Sequence, residues 1–158
     1  MARVFLSTFE KPLDAKRRFV VPQDFRAAAT SPTGAPEGVF CFPSMEADCI
    51  EGGGQALFDR YQALIESYPF GSPERSAFET EVFGGMHRLS FDSAGRITLP
   101  DGLCEQFGLT DKVVVVGLNS RFQIWSPEAY ATWRVKQRDM ARQALRALST
   151  VPTAGGAA

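Results

Sequence analysis

The chain has 158 residues, with 17 lysines and arginines, 18 aspartates and glutamates, one histidine and a net charge of −1. At 44% hydrophobic and 22% charged residues it has the composition of a soluble globular protein, at a length that suits one medium domain or two small ones. The longest apolar run, Val113 to Leu118, is too short to span a bilayer, Met1-Ala2-Arg3-Val4 does not open a signal peptide, and three cysteines (Cys41, Cys49, Cys104) without C-x-x-C spacing argue against a disulfide framework and for a reducing cytoplasm.

In chain order, Val4 to Phe9 reads as an apolar-rich strand, and Asp14 opens a tight turn because its carboxylate can accept backbone N–H groups two residues on. A strand returns through Phe19 and Val21, Pro22 suits a first helical turn, and a short helix is predicted over 23–29. Strands 38–43 and 48–51 form a pair, and Gly52-Gly53-Gly54 reads as a flexible loop before a helix carrying Leu57, Phe58, Tyr61, Leu64, Ile65 and Tyr68. Ser72-Pro73 starts another helix. Met86 to Phe91 is a strand, Asp92 opens a second turn, and Gly95 fits a left-handed position closing a short hairpin loop. The next strand alternates, with Ile97 and Leu99 on one face and Arg96 and Thr98 on the other. Pro100 opens a helix over 101–107 that Gly108 stops. Strands 112–117 and 121–125 meet at Asn119-Ser120, and Ser126-Pro127 starts a last helix to about 148. Its apolar residues Tyr130, Trp133, Met140, Ala144, Leu145 and Leu148 lie near one face, with Arg134, Arg138, Arg142 and Arg146 on another. Residues 149–158 are small and Pro/Gly-containing and are expected to be disordered.

A repeat organises these elements. At a shift of 78 residues, Leu13-Asp14-Ala15-Lys16-Arg17-Arg18-Phe19-Val20-Val21-Pro22 lies over Phe91-Asp92-Ser93-Ala94-Gly95-Arg96-Ile97-Thr98-Leu99-Pro100, with Asp, Arg and Pro identical. Val4-Phe5 falls over Val82-Phe83, and apolar residues match at 13/91, 19/97, 21/99 and 25/103. Val39 to Phe42 resembles Val113 to Val116 at a shift of 74, so loop lengths differ. Duplication of one small module explains the pattern.

Charge is unevenly spread: residues 1–30 carry +3, 31–80 carry −6, 81–130 carry −2 and 131–158 carry +4. A polyanion would find basic patches rather than a uniformly attractive surface. No constellation reads as catalytic: His87 stands alone, and no nucleophile-elbow, zinc-protease or P-loop pattern occurs. The carboxylates of Glu46, Asp48 and Glu51 read as an acidic loop rather than a cation site, and no metal or cofactor is expected. Phe83, Phe91, Phe122 and Trp125 read as core.

The repeat resembles the MraZ family of bacterial transcriptional regulators, in which two SpoVT/AbrB-like modules each carry a D-x-x-x-R motif. The resemblance spans roughly 3–148 and includes Ser7-Thr8-Phe9, Leu13-Asp14-Ala15-Lys16, Arg18, Pro22, Phe25-Arg26, Val82-Phe83-Gly84, Phe91-Asp92, Gly95-Arg96, Leu99-Pro100, Val116-Gly117 and Phe122-Gln123-Ile124-Trp125. It implies an α+β fold of tandem swapped-hairpin, AbrB-like β-barrel modules with peripheral helices. The first module with its helix would occupy 1–72, the second with the C-terminal helix 73–148, and the tail 149–158. It further implies a closed ring of subunits, and double-stranded DNA as partner, through short direct repeats upstream of the division and cell-wall gene cluster. The protein would then be a cytoplasmic, nucleoid-associated, non-enzymatic regulator. The rival reading is an oligomeric protein-interaction module whose basic ends dock acidic partners.

The family usually has D-x-K-G-R. Here Arg17 stands where Gly is usual, and Ala94 where Lys is. A non-glycine residue in left-handed backbone costs about 1 kcal/mol, so the first turn is expected to differ from the second or to be mobile. Arg18 and Arg96 each have two readings, as a brace to Asp14 or Asp92 or as a guanidinium that forks onto guanine or phosphate. The bare spacing favours the brace, whereas the resemblance favours DNA contact by the first loop. Lys11, Lys16 and Arg17 are then phosphate contacts beside Arg18, and Asp14, Pro22, Asp92, Gly95, Arg96 and Pro100 shape turns and scaffold. The windows ending at the motif arginines support this division: residues 11–18 carry +3 and residues 89–96 carry 0.

Overall fold

The computed structural model describes residues 4–30 and 37–150. Along the chain run β1 (Thr8–Pro12), β2 (Arg18–Val20), α1 (Gln23–Ala29), β3 (Gly38–Pro43), β4 (Ile50–Gly53), α2 (Gln55–Glu66) and α3 (Pro73–Phe78), which passes into a π-helical turn over Glu79–Phe83. Then follow β5 (His87–Ser90), β6 (Arg96–Thr98), α4 (Asp101–Phe107), β7 (Lys112–Gly117), β8 (Phe122–Trp125) and α5 (Pro127–Thr150). The fold is α+β, and among the described residues every strand ladder is antiparallel. The described residues up to Pro127 form one compact unit, and those from Glu128 onward form a second.

The strand that follows each Asp turn was expected to return as a hairpin. It does not. β1 pairs with β7, from Thr8 opposite Val116 to Pro12 opposite Lys112, while β2 pairs with β6, with Arg18 opposite Thr98 and Val20 opposite Arg96. The six-stranded sheet has the order β1-β7-β8-β4-β3-β5. Read from either end, it presents the first strand of one half, then the hairpin of the other. The two hairpins meet at the centre, with Ile50 opposite Ile124 and Gly52 opposite Phe122. Strands of both halves therefore enter one sheet and one small ribbon, whereas the family resemblance implies a swapped-hairpin barrel in each half. The pairing is not local: β1 takes its partner from residues 112–116 and β5 from residues 38–41, so each of these strands completes its ladder with the other half.

The predicted strand at Val4–Phe9 begins only at Thr8. Ser7 has φ 78°, a left-handed value that interrupts extended backbone, and Phe5 keeps an isolated bridge to Asn119. Helices α1 and α4 match the predicted spans, with Pro22 and Pro100 just before the first turn rather than in it. Their carbonyls accept from Phe25 and Arg26, and from Leu103 and Cys104, at 2.9 to 3.2 Å. Gly108 ends α4 at φ 64°. Ser72 caps α3 by accepting from the Arg75 N–H. Tyr68 lies beyond α2, which stops at Glu66.

Gly52 and Gly53 are not a flexible loop. They lie buried in β4 at the centre of the sheet, where a Cβ on Gly52 would fall 2.4 Å from the Phe122 ring and one on Gly53 2.7 Å from Leu57. Alternation along β3 separates two apolar clusters. Val39 and Cys41 face the main core with Phe5, Phe19, Phe25, Ile97 and Phe122, while Phe42 packs with Leu57, Ile65 and Val82. Phe5, Phe25 and Phe122 contact one another at centroid distances of 5.3 to 5.5 Å. Trp125 is buried as expected, while Phe83 and Phe91 are half-buried against the clusters.

Helix α5 reaches Thr150, two residues into the segment expected to be disordered, and residues 151–158 lie outside those described. Its predicted apolar face is half-buried at Tyr130 and Trp133 and exposed at Met140, Leu145 and Leu148. Arg134, Arg138, Arg142 and Arg146 are exposed.

Candidate nucleic-acid interface

The two motif turns are built alike, atom for atom. Asp14 Oδ1 accepts the backbone N–H groups of Lys16 and Arg18 at 2.9 Å, and Asp14 Oδ2 accepts Arg18 Nε at 2.8 Å. In the second turn Asp92 Oδ1 accepts the N–H groups of Ala94 and Arg96 at 2.9 Å, and Asp92 Oδ2 accepts Arg96 Nε at 2.8 Å. Hydrogen bonds that favour the charged form, led by the Arg18 N–H for Asp14 and the Arg96 N–H for Asp92, hold both carboxyls below their ordinary value.

Arg17 does not make the first turn differ. It sits at φ 63° and Gly95 at φ 78°, the same left-handed step. A non-glycine residue carries the strain because the surroundings hold it there: Arg17 Nε pairs with Asp101 at 2.6 Å, and the Arg17 carbonyl accepts the Leu99 N–H at 2.8 Å. The Cys104 thiol beside it, then the Asp101 charge, keep the Arg17 guanidinium more firmly protonated than an ordinary arginine.

The ribbon of β2 and β6 brings the turns together. Val21 N–H donates to the Gly95 carbonyl at 3.1 Å, the counterpart of the Leu99 to Arg17 bond. Because β2 and β6 run antiparallel, Asp14, Lys16, Arg17 and Arg18 border one end of the short ribbon and Asp92, Gly95 and Arg96 border the other. Lys16 is exposed at its turn. Lys11 lies apart from the ribbon on β1, opposite Val113, with Nζ 5.8 Å from the centre of the Phe9 ring. Local charge had suggested that Arg18 keeps its donors free while Arg96 spends them. In the structure both arginines spend Nε on their own aspartate, and among the described residues neither gives its Nη groups to a protein acceptor.

Two residues near the turns were not singled out from the sequence. In the repeat register Arg26 is the counterpart of Cys104, just as Arg17 is the counterpart of Gly95. The structure uses both relations. Arg17 reaches from its loop to the α4 residue Cys104, and Arg26 reaches from α1 to the loop residue Gly95, where a Cβ would lie 2.7 Å from the guanidinium carbon. Arg26 Nη1 donates to the Val21 carbonyl. The 17/95 and 26/104 correspondences were present in the sequence, but the side-chain contacts were not.

The carboxylates read as an acidic loop are also divided by the fold. Glu51 is buried in β4 and pairs with Arg121, while Ser44 Oγ donates to it at 2.8 Å. Arg121 also holds Glu46 at 3.1 Å. Burial raises the Glu51 carboxyl above its ordinary value, opposed by Ser44 and Arg121. Among the described residues no group of three His, Cys, Asp or Glu side chains is placed to hold a metal ion, and no helix is long and apolar enough to cross a membrane. His87 is exposed on β5.

Two like Asp–Arg turns bordering one antiparallel ribbon, beside a six-stranded sheet and its helices, make the chain a small α+β protein. The family described as "MraZ protein, putative antitoxin-like" matches residues 82–149. The chain is 62% identical over 159 residues to a Transcriptional regulator MraZ of Caulobacter vibrioides, covering 98% of this chain and 100% of that protein. It is 66% identical over 145 residues to the protein of that name from Phenylobacterium zucineum, covering 92% and 89%, and 38% identical over 139 residues to that of Xanthobacter autotrophicus, covering 84% and 87%. The chain belongs to the MraZ family.

Proposed function

We propose that this chain is a sequence-specific DNA-binding transcriptional regulator, non-enzymatic and cytoplasmic, associated with the nucleoid. It acts on the promoter of its own division and cell-wall gene cluster through short direct repeats. Its halves are duplicated AbrB-like modules (1–72 and 73–148), and several copies close into a ring. The first loop carries recognition, with Arg18 as reader and Lys11, Lys16 and Arg17 on phosphates. Asp14, Pro22, Asp92, Gly95, Arg96 and Pro100 hold the scaffold.

The observation that carries this reading is the pair of Asp-braced arginines, one at each end of the shared ribbon, each with its Nη groups turned to no protein acceptor among the described residues. A guanidinium fixed by one edge keeps a rigid fork for guanine or phosphate, which favours geometry over flexible charge. One chain offers few such contacts, and a ring meeting several repeats multiplies them.

A gel shift with a duplex from upstream of its own gene tests the proposal. Retardation that survives excess competitor DNA is the expected result. Absence of any specific complex, with capture of an acidic protein by the basic ends instead, decides for the interaction module. Light scattering after size exclusion reads the ring directly, and a monomer at micromolar concentration removes it.

A further inference from the structure

We infer that Arg26, carried on α1 of the first half, supplies the second motif loop with its DNA-phosphate contact. The inference rests on the DNA-binding reading above.

Counted along the sequence, the second loop is poor in charge, with Arg96 balanced by Asp92. The fold changes that count. The guanidinium of Arg26 lies directly on Gly95, in the loop that leads into β6, and its Nη1 is anchored on the Val21 carbonyl. One N–H of five is committed there. Among the described residues Arg26 has no ion-pair partner, whereas Arg17 is matched by Asp101. The first loop thus gains a neutralising carboxylate from the other half, and the second loop gains a cation from the other half. The two ends of the ribbon become similar in charge.

The geometry also explains the residue choices. At each of the two equivalent places one arginine lies between a motif loop and the helix packed on it. In the first it comes from the loop, and the helix offers the small Cys104; in the second it comes from the helix, and the loop offers Gly95. What the two places share is an arginine that bridges a left-handed turn and the facing helix. Arg17 and Arg26 therefore flank Arg18 and Arg96 in an approximately two-fold arrangement, set by the β2–β6 register. A phosphate contact from Arg26 adds affinity without sequence information.

The test is fluorescence anisotropy of the full chain on two labelled duplexes, one from upstream of its own gene and one of random sequence and equal length, over a range of salt. Arg26→Gln is expected to weaken both duplexes alike, on the order of tenfold, and to make the log affinity against log salt slope shallower by about one per engaged copy. Arg26→Lys is expected to restore the slope. A second variant guards against a folding defect: Arg26→Cys with Gly95→Arg sets the arginine on the loop and the cysteine on the helix, as in the first place, and is expected to regain the affinity that Arg26→Cys alone loses. Wild-type affinity and slope in folded Arg26→Gln overturn the inference while leaving the regulator reading intact. A lower melting temperature with an unchanged salt slope, not rescued by lysine, also overturns it and leaves Arg26 as a brace for the Val21 carbonyl. Wild-type chain that binds neither duplex overturns both.

Discussion

Arg121 closes on the fully buried carboxylate of Glu51 at the seam where β4 of the first half meets β8 of the second. Burial works against the charge on Arg121, but the Glu51 and Glu46 carboxylates beside it hold its guanidinium more firmly protonated than usual. Removing one partner of such a pair leaves an uncompensated buried charge. Arg121→Met is expected to lower stability by about 3–5 kcal/mol, and Glu51→Met/Arg121→Met to recover most of that loss. Denaturant unfolding of the two variants checks it, and equal stability of the single and double variants would refute it.

Arg18→Ala is expected to cost about 1–3 kcal/mol of specific DNA affinity per contact while the oligomer persists. Arg96→Ala, with the same brace, is expected to lower the melting temperature with less effect on sequence preference. Anisotropy and thermal melting on both variants decide the assignment. Loss of specific binding in folded Arg96→Ala, with normal binding by Arg18→Ala, reverses it.

Arg17→Gly removes a non-glycine residue from φ 63° and also removes the Asp101 pair. Relief of about 1 kcal/mol of strain offsets the loss of a partly exposed ion pair, so stability is expected to stay within about 1 kcal/mol. DNA affinity is expected to fall. A melting curve far from wild type would show that the turn depends on Arg17 more than its exposure suggests.

Gly52→Ala places a methyl against the Phe122 ring inside the sheet, where no flexible tail can yield. A loss of about 1–3 kcal/mol or more is expected. Gly102→Ala, at a position where nothing lies within 4 Å, should be neutral or stabilising. Chemical unfolding of the pair measures the contrast.

Acid stability follows from the braces. The folded carboxyls of Asp14 and Asp92 titrate below their ordinary value of 3.8, so they add stability that is present above that value and lost as pH falls through the folded value. Asp14→Asn/Asp92→Asn is expected to be less stable at neutral pH and to lose less stability on acidification below pH 3.8. Parallel melting curves for wild type and double variant across the acid range would remove the effect.

The local features were legible in the sequence because their causes are local. The Asp turns, the left-handed step at Gly95, the spans of α1 and α4, the stop at Gly108 and the Ser72 cap each arise from one residue and its near neighbours. The repeat also located the two equivalent turns before any contact was known. Only the tertiary structure decided which strand pairs with which, because an apolar strand edge accepts any complementary edge and register depends on residues about a hundred positions away. The same holds for Glu51, which joins Arg121 across 70 residues, and for the buried glycines of β4, whose role is set by Phe122. It holds most plainly for Arg26: its charge belongs by sequence to the first half, and by packing to the second loop.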